Sequence, residues 1–185
     1  MVKGFIRRSE SLAGYPLLFV SKKSGELRLR MDYRKLNQWA KRNANTIPRI
    51  SAVFEVMKGE VVFSKFDLKF AYNLVRIRKD DDYKTAFNTK FGYFEHLVMP
   101  FNLTNGPAVF QSFVNDIFSE DICKYCQVYL DDIVIYSKTL EVHVQHVPTI
   151  LKKLIKHKLI AKMSKCELHK LKISFLCHGI SKDGV

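Results

Sequence analysis

Several features are missing from this 185-residue chain. No apolar run approaches the ~18 residues needed to cross a bilayer. The N-terminal stretch "MVKGFIRRSESLAG" is charged and has no apolar core of the signal-peptide kind. Low-complexity tracts, internal repeats and linkers are absent, so one domain, or one domain of two lobes, is expected. There is no Gly-rich phosphate loop and no Ser nucleophile elbow, which sets aside P-loop and serine-hydrolase chemistry. Acidic residues are in deficit, 18 Asp and Glu against 31 Lys and Arg, for a formal charge of +13. That balance favours an anionic partner, nucleic acid ahead of an acidic membrane surface. The four cysteines are expected in a reducing compartment, because nothing directs the chain to an oxidising one. With 47% apolar and 12% aromatic residues, the chain has the means to build a core.

What is present reads as strands and helices mixed without a strict βαβ rhythm, so the expected class is α+β. In "GELRLRMDYRKLN", Leu27, Leu29 and Met31 alternate with Arg28, Arg30 and Asp32, the period of a strand with one face on the core. "EVVFSKFDLKFAYNLVRIRKD" predicts a strand ending near Asp67, a tight bend at 68–72 and a second strand over 74–78. "YKTAFNTKFGYFEHLVMPF" predicts a hairpin with Gly92 near its turn. Residues 104–118 predict a helix capped by Asn105, with Pro107 in its first turn. Phe110, Phe113, Val114 and Ile117 form its buried stripe. A second helix is expected over 141–158, with Ile150, Leu151, Leu154 and Ile155 buried and Pro148 pushing its start forward to Val147. The tail "KISFLCHGISKDGV" predicts a strand pair with a turn near 182–184.

Residues 126–137, "CQVYLDDIVIYS", place two carboxylates between two apolar strand-forming runs, with no Gly to ease a turn. A buried, unpaired carboxylate is costly, so compensating charge is required. Two divalent ions held by converging carboxylates would supply it. Asp67, at the end of another predicted strand, is the candidate third ligand. Ordinary turn-forming Asp residues are the alternative. Zinc is a rival metal reading: Cys123 and Cys126 form C-x2-C, and Cys166 with His169 forms C-x2-H. Against zinc, no Gly or Pro typical of a knuckle separates the first pair, and buried free cysteines are common. His143 and His146 read as partly exposed surface residues without a role.

Taken in order, "LRLRMDYRKLN", "FSKFDLKFAY", "YKTAFNTKFGYFEHLVMPFNLTNGPAVFQ" and "YLDD" resemble the reverse transcriptase of gypsy-type (Metaviridae) long-terminal-repeat retrotransposons. "GFIRRSESLAGYPLLFVSKKSG" and "AKMSKCELHKLKISFLCHGISKDGV" fit the same family at the two ends, so the likeness covers essentially the whole chain. The resemblance implies a right-hand polymerase with an antiparallel palm sheet packed on helices and the thumb absent. It implies fingers at about 1–60 and 79–105 and palm at about 61–78 and 106–185. Asp67, Asp131 and Asp132 would be the catalytic carboxylates, holding two Mg²⁺, with Mn²⁺ as the substitute ion. Lys22, Arg28, Leu68, Lys69, Phe70, Ala71, Tyr72 and Phe101 would contact the incoming deoxynucleoside triphosphate, Tyr72 as the gate against a ribose 2′-OH. Gln111, Tyr129, Cys177 and His178 would meet template and primer. The implied partners are an RNA or DNA template with its primer, and the RNase H, integrase and protease domains of a parent polyprotein. No membrane is involved, and the implied location is intracellular, in a cytoplasmic virus-like particle or the nucleus.

Several positions depart from the family pattern, Pro148 among them. Asn102 stands where Gly is usual, Gly106 where Ala is usual, and Cys177 replaces the Gly of "FLGH". A Gly used for positive φ is not freely replaced by Cys, whereas Asn tolerates that backbone better. These changes keep a second reading open, a catalytically impaired, thumbless remnant that still binds nucleic acid.

Overall fold

A computed structural model of the chain describes residues 4–21, 25, 27–44 and 47–184. In chain order its elements begin with β1 (Ile6–Arg8), β2 (Leu17–Ser21), β3 (Leu27–Met31), α1 (Arg34–Trp39) and α2 (Ile50–Glu55). Next come β4 (Val62–Lys69), β5 (Phe87–Thr89), β6 (Gly92–His96), α3 (Gly106–Phe118), β7 (Cys126–Tyr129) and β8 (Asp132–Ser137). The last are α4 (Leu140–Lys156), β9 (Ile160–Ala161), β10 (Glu167–Lys170), β11 (Lys172–Phe175) and β12 (His178–Ser181). Among the described residues the ladders between these strands are antiparallel, in keeping with the α+β class. Among the described residues no helix is long and apolar enough to cross a membrane.

The chain forms two compact units, Met1–Ala44 with Tyr72–Pro107, and Asn45–Ala71 with Ala108–Val185. In the first, β6 pairs with both β1 and β5, and β2 pairs with β3 alone. Its core gathers Met31, Tyr33 and Phe87, with Ile6, Tyr15, Leu17, Leu36, Phe94 and Leu103 around them. Tyr33 is buried, and its hydroxyl donates to the Thr85 carbonyl at 2.9 Å. The alternating β3 pattern is only partly buried: Met31 reaches the core, but Leu27 and Leu29 are exposed, as are Leu18, Phe19 and Val20 on β2. The reason is that a two-stranded ribbon has no layer over most of its length. The expected strand over 74–78 is replaced by a 3₁₀ turn, Ala71–Leu74, followed by a single bridge from Arg76 to Val98. Asn105 does not cap α3; its amide bonds the Lys41 carbonyl and the Asn43 N–H.

In the second unit the sheet order is β10-β4-β8-β7, and β9 pairs with the far end of β4. β4 is central and buried along most of its length. One face of the sheet carries Phe63, Val134 and Tyr136, covered by Ile173, Phe175 and Ile180 from the β11–β12 hairpin and by Val53 and Met57. Val53 and Met57 thus tie the described residues 47–60 to this unit. The opposite face meets α4, whose buried positions are His143, Val147, Ile150 and Leu154. Leu151 and Ile155, expected inside, are exposed. Pro148 lies within α4, which starts at Leu140, capped by Thr139, rather than being pushed forward to Val147. The β11–β12 hairpin turns at Leu176–Cys177, both at positive φ (49° and 66°), and a second turn follows where Ser181 and Gly184 exchange backbone bonds.

Candidate active site

The strand formers of β4 and β8 put Asp67 directly opposite Asp132 in the antiparallel register. Directly opposed residues share a face of the sheet, so the two carboxylates are neighbours. Asp131 sits beside them, in the two-residue loop that joins Tyr129 to Asp132. Its carbonyl accepts from the Leu68 N–H at 2.7 Å, tying the loop to β4. The opening Leu130 of that loop has φ +52°, a conformation that two-residue hairpins ordinarily give to Gly. Strain of this kind persists only where its surroundings impose it. Here they do. Gln111, buried on α3, accepts from the Leu130 N–H at 2.8 Å and donates to the Val128 carbonyl at 3.0 Å. Its amide also donates to Asn115 at 2.8 Å, which fixes its orientation.

Two lysines answer the acidic cluster. Lys165 Nζ lies 2.7 Å from Asp67 Oδ2, and Lys65 Nζ lies 3.5 Å from Asp132 Oδ1. Lys65 also donates to the Ser174 carbonyl at 3.0 Å. Burial pushes the Asp132 carboxyl up; Lys65 pulls against that shift, and Asp131 and Asp67 add to it. The hydrogen bond to Asp67 raises the Lys165 ammonium, and all three carboxylates contribute to its field. As a donor set, three carboxylates at one sheet end suit a hard, oxygen-seeking cation. In the arrangement observed, Asp67 and Asp132 are engaged by ammonium groups, and no three carboxylate, imidazole or thiolate groups form a ready-made metal cage among the described residues.

The other expected site residues divide between the units. Leu68 is buried and its N–H is already used, so the strand runs through Lys69 and the turn begins only at Phe70, φ +57°. Ala71 is buried, and Lys69 lies over the Phe70 ring. In the first unit, the Tyr72 and Phe101 rings sit 5.1 Å apart, tilted by 34°. Lys22 lies outside the described residues, as does the side chain of Arg28. Gln111, expected to face a template, points into the sheet instead, because the hairpin carbonyl and N–H need a partner there. Tyr129 and Leu176 pack on the same core cluster, and exposed Cys177 and His178 follow in that hairpin, His178 against Phe54. Asn102, at φ +75°, does adopt the backbone that Gly would favour.

Zinc finds no support in the thiols: Cys126 is buried, Cys123 accepts from Gln127, and Cys166 donates to the Lys162 carbonyl. His143 corrects the surface reading. It is fully buried, with Ser64 Oγ at 2.8 Å from Nε2 and Ser137 Oγ at 2.9 Å from Nδ1. Its spacing to Val147, Ile150 and Leu154 was the available signal.

The family model described as Reverse transcriptase (RNA-dependent DNA polymerase) matches residues 20–180. Over 181 residues the chain is 41% identical to the Transposon Tf2-3 and Tf2-7 polyproteins of Schizosaccharomyces pombe. That alignment covers 98% of this chain, which spans only 14% of the length of these curated relatives. The fold matches the foamy viral protease-reverse transcriptase solved in complex with an RNA/DNA hybrid, with a TM-score of 0.88 and 23% identity over 97% of this chain and 24% of that one. A second foamy viral structure, in complex with double-stranded DNA, gives 0.91 and 23% over 99% and 32%. The chain belongs to the reverse transcriptase (RNA-dependent DNA polymerase) family, in its gypsy-type long-terminal-repeat retrotransposon branch.

Proposed function

We propose that this chain is the fingers-and-palm core of an RNA-directed DNA polymerase, part of a retrotransposon polyprotein, that extends a primer by nucleotidyl transfer. The observation that carries the reading is Asp67 opposite Asp132, with Asp131 held in the adjoining strained loop. Reverse transcriptases depend on a divalent metal. Asp67, Asp131 and Asp132 would hold two Mg²⁺, or Mn²⁺ in its place, which when bound supply acidification of the primer 3′-hydroxyl and neutralisation of the pyrophosphate charge. The chain's own part is positioning. The sheet fixes two carboxylates on one face, and Gln111 fixes the loop that carries the third. Lys22 and Arg28 would donate charge-assisted bonds to the triphosphate, the role that suits a guanidinium fork best. Lys69, Phe70 and Ala71 would lie along the nucleotide, with Tyr72 crowding a ribose 2′-OH and Phe101 lining the nucleotide pocket. Tyr129, Cys177 and His178 would position the primer end.

Template and primer as partners are supported by the nucleic acids bound in the two foamy viral structures and by the +13 charge. RNase H, integrase and protease domains of the parent polyprotein, deoxynucleoside triphosphates, and an intracellular particle or nuclear location complete the proposal. The test is primer extension on an RNA template with Mg²⁺. Incorporation is expected, and Asp131→Asn is expected to abolish it while leaving primer–template binding in place. Extension indifferent to that substitution would overturn the mechanism. One observation favours the remnant reading: Cys177 holds a backbone conformation suited to the Gly it replaces. That reading predicts salt-dependent binding with no incorporation by any variant.

A further inference from the structure

Two lysines touch the carboxylate cluster, and their surroundings differ. Lys65 is mostly buried and is pinned by the Ser174 carbonyl as well as facing Asp132, so its ammonium has a fixed seat. Lys165 stands at the end of a 3₁₀ turn, Met163–Lys165, with 56% of its side chain exposed. Its backbone is anchored nearby, because the Lys162 N–H donates to the Asp67 carbonyl at 2.8 Å. Among the described residues its ammonium makes one ion pair, to Asp67 Oδ2, and a long flexible stem lets it swing into water at little cost.

We infer that Lys165 is a displaceable internal counter-cation of the carboxylate cluster, competing with a divalent ion for Asp67 and thereby setting the metal affinity of the site. The inference rests on reading the cluster as the metal site. With Lys165 in place, Asp67 Oδ2 is neutralised by a group the chain carries with it. A divalent ion drawing on that oxygen must expel the ammonium, and the expelled group remains nearby to return. Lys65 does not act this way, since its carbonyl anchor keeps it seated whichever charge Asp132 faces.

The test is titration of the 185-residue chain with Mn²⁺, reading free Mn²⁺ by electron paramagnetic resonance, alongside thermal melts in chelator and in Mn²⁺. Replacing one unit charge a few ångströms from the ligand oxygen by a neutral stem is expected to change affinity roughly tenfold. Lys165→Met should therefore bind Mn²⁺ roughly tenfold tighter than the parent. It should also melt lower than the parent in chelator and show a larger upward shift with Mn²⁺, because the cluster has lost its own cation. Lys162→Gln removes an equal charge nearby without freeing the Asp67 side chain, and its affinity should stay close to that of the parent. Unchanged or weaker binding by Lys165→Met, with Asp131→Asn still abolishing binding, overturns the inference and leaves the metal site standing. Equal tightening by Lys162→Gln also overturns it, in favour of a general field effect. Failure of the parent and of Lys165→Met alike to bind Mn²⁺ overturns both the inference and the site.

Discussion

Gln111 carries no charge, yet it determines where the carboxylate of Asp131 can stand. Its side chain spans the strand before the loop and the loop itself, receiving the Leu130 N–H and donating to the Val128 carbonyl. A left-handed Leu costs about 1–2 kcal/mol, and something must hold it there. Gln111→Leu keeps the approximate volume and removes both bonds, leaving the buried Val128 carbonyl and the half-buried Leu130 N–H without that partner. Each such group costs about 1–3 kcal/mol. Urea denaturation is expected to show a loss of about 2 kcal/mol or more. Primer extension should fall further than stability alone accounts for, because the loop is free to relax away from its strained form. A variant as stable and active as the parent would mean that the loop keeps its shape without the amide.

Helix α4 is held to its sheet by a polar contact as well as apolar ones. The His169 N–H donates to Ser64 Oγ, so the Ser64 hydroxyl can donate to His143 Nε2. His143 Nδ1–H then donates to Ser137, whose hydroxyl completes the chain at His146 Nδ1. This arrangement satisfies every member with His143 neutral. Burial first, and then the neighbouring His169 and His146, together lower the His143 pKa from 6.5 to about 4. The unfolded chain therefore takes up a proton below about pH 6.5 while the folded chain resists until about pH 4. The stability contributed is fully present above pH 6.5 and is lost as the pH falls to 4, on the order of 2–3 kcal/mol. Burial of His96 in the first unit, also lowered to about 4, acts in the same sense. Urea melts at pH 7 and pH 4.5 should show this loss, and His143→Gln should reduce the difference between them. An equal difference in the variant would place the acid sensitivity elsewhere. This network also shows where the sequence became illegible. The carboxylate hairpin could be read because strand formers flank it on both sides, and α3 because Phe110 and Val114 repeat at helical spacing. On α4, counting apolar side chains selected Leu151 and Ile155, since a buried His counts as polar until the two serines across the sheet are known. Leu176–Cys177 carries no turn residue, so the sequence signals a turn only at the Lys-Asp-Gly that follows.

At the scale of the whole chain, the charge is uneven. Of the Lys and Arg residues, 16 fall in the first unit against 7 Asp and Glu, a balance of +9, while the second unit has 15 against 11, a balance of +4. The less basic unit is the one that holds the carboxylate cluster. The proposed chemistry rests on the carboxylates and the proposed grip on the surplus of basic residues, so the two should respond to different perturbations. Binding through phosphate releases counterions, so the logarithm of the association constant falls linearly with that of salt, with slope about −0.9 per phosphate contacted. For a fingers-and-palm core in contact with four or more phosphates, the slope should be roughly −3 or steeper, a loss of roughly sixty-fold between 50 and 200 mM salt. Fluorescence anisotropy with a labelled primer–template measures it. Asp131→Asn changes the charge of the chain by one unit and removes the proposed chemistry, so it should leave the slope nearly untouched while extension disappears. RNA–DNA and DNA–DNA duplexes of equal length should give similar slopes, because phosphate contacts carry no base information. A slope shallower than about −1 would mean that the surplus lysines and arginines do not meet phosphate, and the proposed grip on primer–template would fall with it.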